Sequence, residues 1–222
     1  MKTKHIFQMQ PHFPPGLYLA VGFIIFVITL IINHSLNLKV AILFFFTWLL
    51  LAIVIWQSIY SQRLGFTLTS SHFQQHFYRG GWVLRWQNIK RIHSLEYNLN
   101  DFTVPIRWIG IEIKDYQAFI DKISPKVMTK LLLQQRSLLY LGLKQHGRLH
   151  ELEKHIMNDT IYTYSNGRKV KGLQAIFANR MAIQKQVWGY EVFISENDLT
   201  IPKDELVGLA RRYLAASWDE AE

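Results

Sequence analysis

Cysteine is absent from all 222 residues. That excludes disulfides, a thiolate nucleophile and thiolate metal sites, and it suits a reducing cytoplasm. Acidic residues are absent from the first ninety-five positions, Glu96 being the first. All sixteen acids therefore lie beyond that point, against twenty-five Lys and Arg in the whole chain, for a net charge of +9. No G-x-S-x-G, no Walker loop, no dinucleotide glycine fingerprint and no H-E-x-x-H occurs, so no catalytic motif of those classes is present. No cofactor is expected, and the chain reads as non-enzymatic. Internal repeats and low-complexity tracts are also missing.

Charge is missing from two long apolar runs, Leu17–Ile32 and Val40–Trp56. A helix rises about 1.5 Å per residue, so each run covers roughly 25 Å, close to a hydrocarbon core once flanking residues are added. The polar turn Asn33–Lys39 separates them. The expectation is a transmembrane hairpin with spans of about 15–33 and 38–57. A signal peptide would need a small-residue cleavage site after the first run. A buried helical pair would need a polar face. Lys2 and Lys4 precede the runs, and Arg63, Arg79, Arg85, Lys90 and Arg91 follow them. The positive-inside tendency then puts both termini in the cytoplasm, in a multi-pass inner-membrane protein. This divides the chain into residues 1–60 and a cytoplasmic domain, 61–222.

The cytoplasmic part opens with a β pattern. Phe66-Thr67-Leu68-Thr69 alternates, and Phe73–Tyr78 and Trp82–Trp86 read as strands joined by a turn at Gly80-Gly81. Ile89–Tyr97 and Ile106–Ile113 continue an antiparallel meander. The period then changes. Ser124-Pro125 is a helix start, Ser as N-cap and Pro at the first position, and one helix is expected to about Gln145. Leu173–Val187 is helical, Gly189 stops it, and Tyr190–Ile194 is a strand. Pro202 opens a last helix whose acids lead and whose arginines trail, as the helix dipole favours.

The segment FTLTSSHFQQHFYRGGWVLRWQNIKRI resembles the opening strands of bacterial PH-like domains, with Trp86-Gln87-Asn88-Ile89 as their tryptophan–isoleucine element. GYEVFISENDLTIPKDELVGLARRYL resembles the last strand and closing helix of the same fold. The stretches SPKVMTKLLLQQRSLLYLGLKQ and GLQAIFANRMAIQKQVWGYEVFIS resemble a family of uncharacterised gammaproteobacterial membrane proteins, a domain of unknown function. The resemblance implies an inner-membrane location and two spans, and it supplies no catalytic residues. The expected fold class is α+β: a two-helix transmembrane hairpin, then an antiparallel PH-like sheet with a helical insertion at about 116–188 and a C-terminal helix.

Three clusters could carry chemistry. No acid lies between Asp121 and Glu151. On one long helix, Lys126, Lys130, Arg136 and Lys144 fall in an arc of roughly 120° opposite most of the leucines. That is the pattern of a membrane-surface helix, or of a solvated face. Arg79, Arg85, Lys90 and Arg91 would complete a basic surface against anionic headgroups. The second cluster, Arg168, Lys169, Lys171, Arg180 and Lys185, is a further acid-free set that could meet phosphate or stand as a solvated loop; aromatic neighbours for nucleic acid are few. The third is His146, His150 and His155, where only the first two have the i, i+4 relation of a metal pair and Gly147 interrupts the turn; no metal is expected. The function expected is a non-enzymatic module binding a lipid headgroup or a membrane protein partner at the cytoplasmic leaflet. The rival is a membrane-bound enzyme or assembly factor whose site is built from scattered polar residues.

Overall fold

A computed structural model describes residues 2–7, 46, 48–49, 64–77, 80–99 and 102–219. The chain divides into two compact units, 1–9 with 64–222 and 10–63. Only the first is described in any detail.

That unit is built on two antiparallel sheets. Strands β1 (Lys4–Phe7), β2 (Leu64–Leu68), β3 (His72–Phe77) and β4 (Gly80–Arg85) pair in chain order. A 3-10 turn at Trp86–Asn88 leads into β5 (Ile89–Leu99), which pairs with β6 (Phe102–Ile113). The period of two sends Phe66, Leu68, Phe73, Trp82 and Leu84 to one buried face. Gln75 shares that face and is satisfied there, accepting a 2.7 Å hydrogen bond from Trp82 Nε1. Phe73 stacks on Trp86 with ring centroids 5.7 Å apart, and Trp86 stacks on Tyr213 at 5.8 Å. The Trp86 indole also donates to the Thr69 carbonyl at 2.8 Å.

Helices α1 (Tyr116–Ile120), α2 (Pro125–Gln134), α3 (Arg136–Gln145), α4 (Leu152–Ile156) and α5 (Leu173–Trp188) follow β6. The two-residue strands β7 (Tyr162–Thr163) and β8 (Lys169–Val170) pair between α4 and α5. β9 (Val192–Ser195) then adds to β6, giving the order β5-β6-β9. Helix α6 (Lys203–Asp219) closes the described chain and packs on β5 and the 3-10 turn. Helices α2, α3 and α4 all contact α5, so α5 is buried on most sides.

Four expectations are corrected. Among the described residues no helix is long and apolar enough to cross a membrane. The longest, α6, has 17 residues and carries Lys203, Asp204, Glu205, Arg211 and Arg212. The expected fold class with a transmembrane hairpin is therefore replaced by α+β with antiparallel sheets. The spans read at 15–33 and 38–57 lie outside the described residues, except for Phe46, Trp48 and Leu49.

The meander is two sheets and a separate hairpin rather than one sheet, and its first strand is β1, whose Lys4–Phe7 pairs with Leu64–Leu68. Thr200 Oγ1 donates to the Phe7 carbonyl at 2.9 Å, and the Tyr213 hydroxyl donates to the Lys2 carbonyl, which ties this strand down.

Gly80 and Gly81 are not the turn. They open β4, opposite Phe77 and His76. A Cβ on Gly81 would meet the Gln75 carbonyl oxygen at 2.1 Å, so strand packing demands glycine there. Finally, the helix expected from Ser124 to Gln145 is two. It begins as read, Ser124 Oγ accepting from the Val127 amide at 3.4 Å. It breaks at Gln135 (φ −88°, ψ 8°), whose buried side chain accepts from Gln184 Nε2 of α5 at 3.3 Å. The break is one residue wide: the Gln135 backbone amide still donates to the Leu131 carbonyl and its carbonyl accepts from the Leu139 amide, both at 3.0 Å.

Candidate anion-binding site

The break at Gln135 divides the basic arc. Lys126 and Lys130 stand on α2, Arg136 and Lys144 on α3. Lys126, Arg136 and Lys144 are exposed. Lys130 lies with Nζ 3.9 Å from the centre of the Phe77 ring, a cation–π contact within the domain. One continuous membrane-surface helix is thus not formed. Arg79 lies outside the described residues.

Three of the second basic set are engaged internally, while Lys169 and Lys171 are exposed. Arg168 pairs with Asp121 at 2.7 Å. Arg180 is buried and donates to the carbonyls of His155 and Ile156 at 3.2 and 2.6 Å, covering the end of α4. Burial, with Arg136 nearby, pushes the Arg180 guanidinium down to about 10. Lys185 reaches Glu191 at 2.5 Å and Glu112 at 3.3 Å. The histidines of the third set are also engaged: His146 Nδ1 is 3.0 Å from the Gly142 carbonyl, and His155 Nε2 is 3.1 Å from Glu151. Among the described residues no group of three metal-ligating side chains converges.

Lys90 and Arg91, on β5, share Glu112 at 3.4 and 2.6 Å. Burial works upward on the Glu112 carboxyl, but hydrogen bonds from Arg91, Lys185 and Lys90 outweigh it and hold the group below the usual carboxylate range.

Arg85 has a different setting. It ends β4 directly opposite His72, which begins β3. The turn between β2 and β3 is tightly bonded: Thr69 Oγ1 accepts from the His72 amide at 3.0 Å, and His72 Nδ1 lies 2.9 Å from Ser71 Oγ. The Trp86 amide donates to the Ser71 carbonyl at 3.2 Å. These bonds place Ser70, Ser71, His72, Arg85 and Gln87 around a concavity of about 540 Å³ floored by Trp86. Lys122, from the turn after α1, and Ser217, near the end of α6, complete the wall. The volume lies in the range of small-molecule pockets.

Besides Trp86 and Val83, the wall contains two cations, a histidine, three serines and an amide, and among the described residues no carboxylate. Among the described residues neither Arg85 nor Lys122 enters an ion pair. An Arg fork with a Lys point charge and hydroxyl donors is the donor set that a phosphate-type oxyanion accepts. Ser71 and His72 could suggest a nucleophile and base, but among the described residues no carboxylate orients the imidazole, and Thr69 shares the same ring nitrogen at 3.0 Å. The arrangement is equipped to hold an anion.

Of the eight basic residues read from the sequence as a membrane or partner surface, Arg85 is the one that lines this pocket among the described residues. Gln87 and the serines were not singled out. The hairpin alternation could have pointed to His72 opposite Arg85. Nothing local could have pointed to Lys122 or Ser217, which arrive from distant elements.

Residues 66–216 match the model of a family described as a protein of unknown function, DUF2982. The chain belongs to that family. No curated protein and no solved structure matches it.

Proposed function

We propose that this DUF2982 domain is a non-enzymatic module that binds the phosphate of anionic lipid headgroups at the cytoplasmic leaflet, through the pocket of Arg85 and Lys122. The observation that carries the reading is a concave site with two cations and, among the described residues, no carboxylate in its wall. Each further donor there, Ser70, Ser71, Gln87 or His72, suits a phosphate oxygen. The two antiparallel sheets, four strands and three, with a helix after the last strand, support the resemblance to PH-like domains as part of the same reading.

The test is partition of the intact chain onto phosphatidylcholine vesicles with and without phosphatidylglycerol. Phosphatidylglycerol should raise the bound fraction, and the increment should shrink as salt screens the charges. The double variant Arg85→Gln, Lys122→Gln should lose the increment while keeping its circular dichroism. An increment unchanged in the double variant would overturn the proposal.

A further inference from the structure

A second concavity lies along β5, the edge strand of its sheet, where α6 passes beside it. Its volume is about 200 Å³, below the roughly 300–1,000 Å³ of pockets that take ring systems. The space suits a narrow ligand. Ile92, Leu214 and Ala215 give it a floor that is almost wholly carbon. Lys90, Arg91 and Arg211 stand around it. The Arg211 stem is held by its Nε, which donates to the Ile92 carbonyl at 3.0 Å. That bond also occupies an acceptor on the strand edge, which disfavours an added peptide strand.

The charges do not cancel. Glu112 answers Lys90 and Arg91 and is shared again with Lys185. Among the described residues no carboxylate lines the groove itself. We infer that the groove between β5 and α6 binds a linear amphiphilic anion, an aliphatic chain lying on Ile92, Leu214 and Ala215 with its charged head against Arg211 and Arg91. A chain alone would leave the cations unanswered. A small anion alone would leave the apolar floor wet. An alkyl carboxylate or an alkyl phosphate meets both demands.

The groove carries its own reporter. His93 lies in its wall, and the groups that face it are Arg91, Arg211 and the Tyr190 ring, whose centroid is 6.3 Å away. Burial, then Arg211 and Arg91, push the imidazole below its ordinary value. A bound anion offsets the two guanidinium charges, so His93 must become easier to protonate.

The experiment is an NMR titration of the histidines in the intact chain, with His93→Gln assigning the signal. Decanoate below its micelle concentration should raise the His93 pKa saturably, by about half a unit or more. Ala215 is exposed on α6, so Ala215→Glu should preserve the helix and weaken decanoate at least tenfold. Arg211→Gln should do the same. Decyl phosphate binding tighter than decanoate assigns the head to a phosphate-bearing lipid, and the reverse order assigns it to a fatty acid; either supports the groove. Acetate or inorganic phosphate moving His93 as far as decanoate does, at equal concentration, would overturn the inference. So would decanol competing as strongly as decanoate, or no saturable shift at all. Arg85→Gln should leave the decanoate response unchanged, so this inference and the headgroup pocket stand or fall separately.

Discussion

Two acid-free stretches of this chain are both basic, with four and five Lys and Arg, and differ in how their arginines are engaged. One runs from Leu64 to Leu95, the other from Thr160 to Tyr190. In the second, Arg168, Arg180 and Lys185 are consumed by Asp121, by the carbonyls ending α4, and by Glu112 and Glu191. In the first, Arg85 stands over a concave wall with no acid among the described residues, while Lys90 and Arg91 share one glutamate between them. Of the acids that pair with the second stretch, Asp121 and Glu112 come from elsewhere in the sequence and Glu191 borders it, while Lys169 and Lys171 stay exposed. Local charge therefore says little about whether a cation is available to a ligand. What decides is which carboxylates and carbonyls the topology brings to it.

The comparison can be broken most severely at its support. Trp86 is fully buried, between Phe73 and Tyr213. Trp86→Ala should cost about 4 kcal/mol in a denaturant titration and collapse the pocket floor. A loss below about 1 kcal/mol would mean the stacked rings do not hold Arg85 in place.

Next is the acid that neutralises the second stretch. Glu191 is buried; it pairs with Lys185 and accepts from the Ile113 amide at 3.0 Å. Glu191→Ala removes the acceptor of the Ile113 amide and the Tyr116 hydroxyl, leaves Lys185 with Glu112 alone, and should cost about 3 kcal/mol. A neutral outcome would place Lys185 among the available cations.

A pH titration sharpens the contrast further. Glu112 is held below its ordinary 4.5 in the folded state. Its contribution to stability is present above that ordinary value and is lost as pH falls through the lower, folded value. Glu112→Gln should therefore lower stability at neutral pH and flatten the acid limb of the stability curve. Parallel curves for variant and parent would refute the pairing with Lys90, Arg91 and Lys185.

The smallest effect is expected where the account places the ligand. Arg85→Gln should change stability by less than about 0.5 kcal/mol, since the side chain is exposed and in no ion pair among the described residues. A larger loss would mean that Arg85 serves the fold.

Much of the local structure was legible in the sequence. Ser124-Pro125 starts a helix, Gly189 ends one in the left-handed conformation at φ +75°, and Pro202 precedes the last. The alternation of Phe73, Gln75, Trp82 and Leu84 pairs two strands as read. What was hidden depends on distant partners. Lys4–Phe7 is only four residues long, and it is a strand because Leu64–Leu68 lies beside it. Gln135 looks like any polar helix residue until its amide is buried against Gln184. The basic arc was read across that position, and its four residues are divided between two helices. The pocket was half visible: strand register could have put His72 opposite Arg85, but Lys122 and Ser217 reach the wall only through the tertiary fold.

The most direct measurement is calorimetric titration of the intact chain with inorganic phosphate, alongside Arg85→Gln and Lys122→Gln. The account predicts saturable binding that each variant weakens about tenfold, near 1.4 kcal/mol, with thermal stability unchanged. Binding of equal strength in all three proteins, or none in the parent, would contradict it.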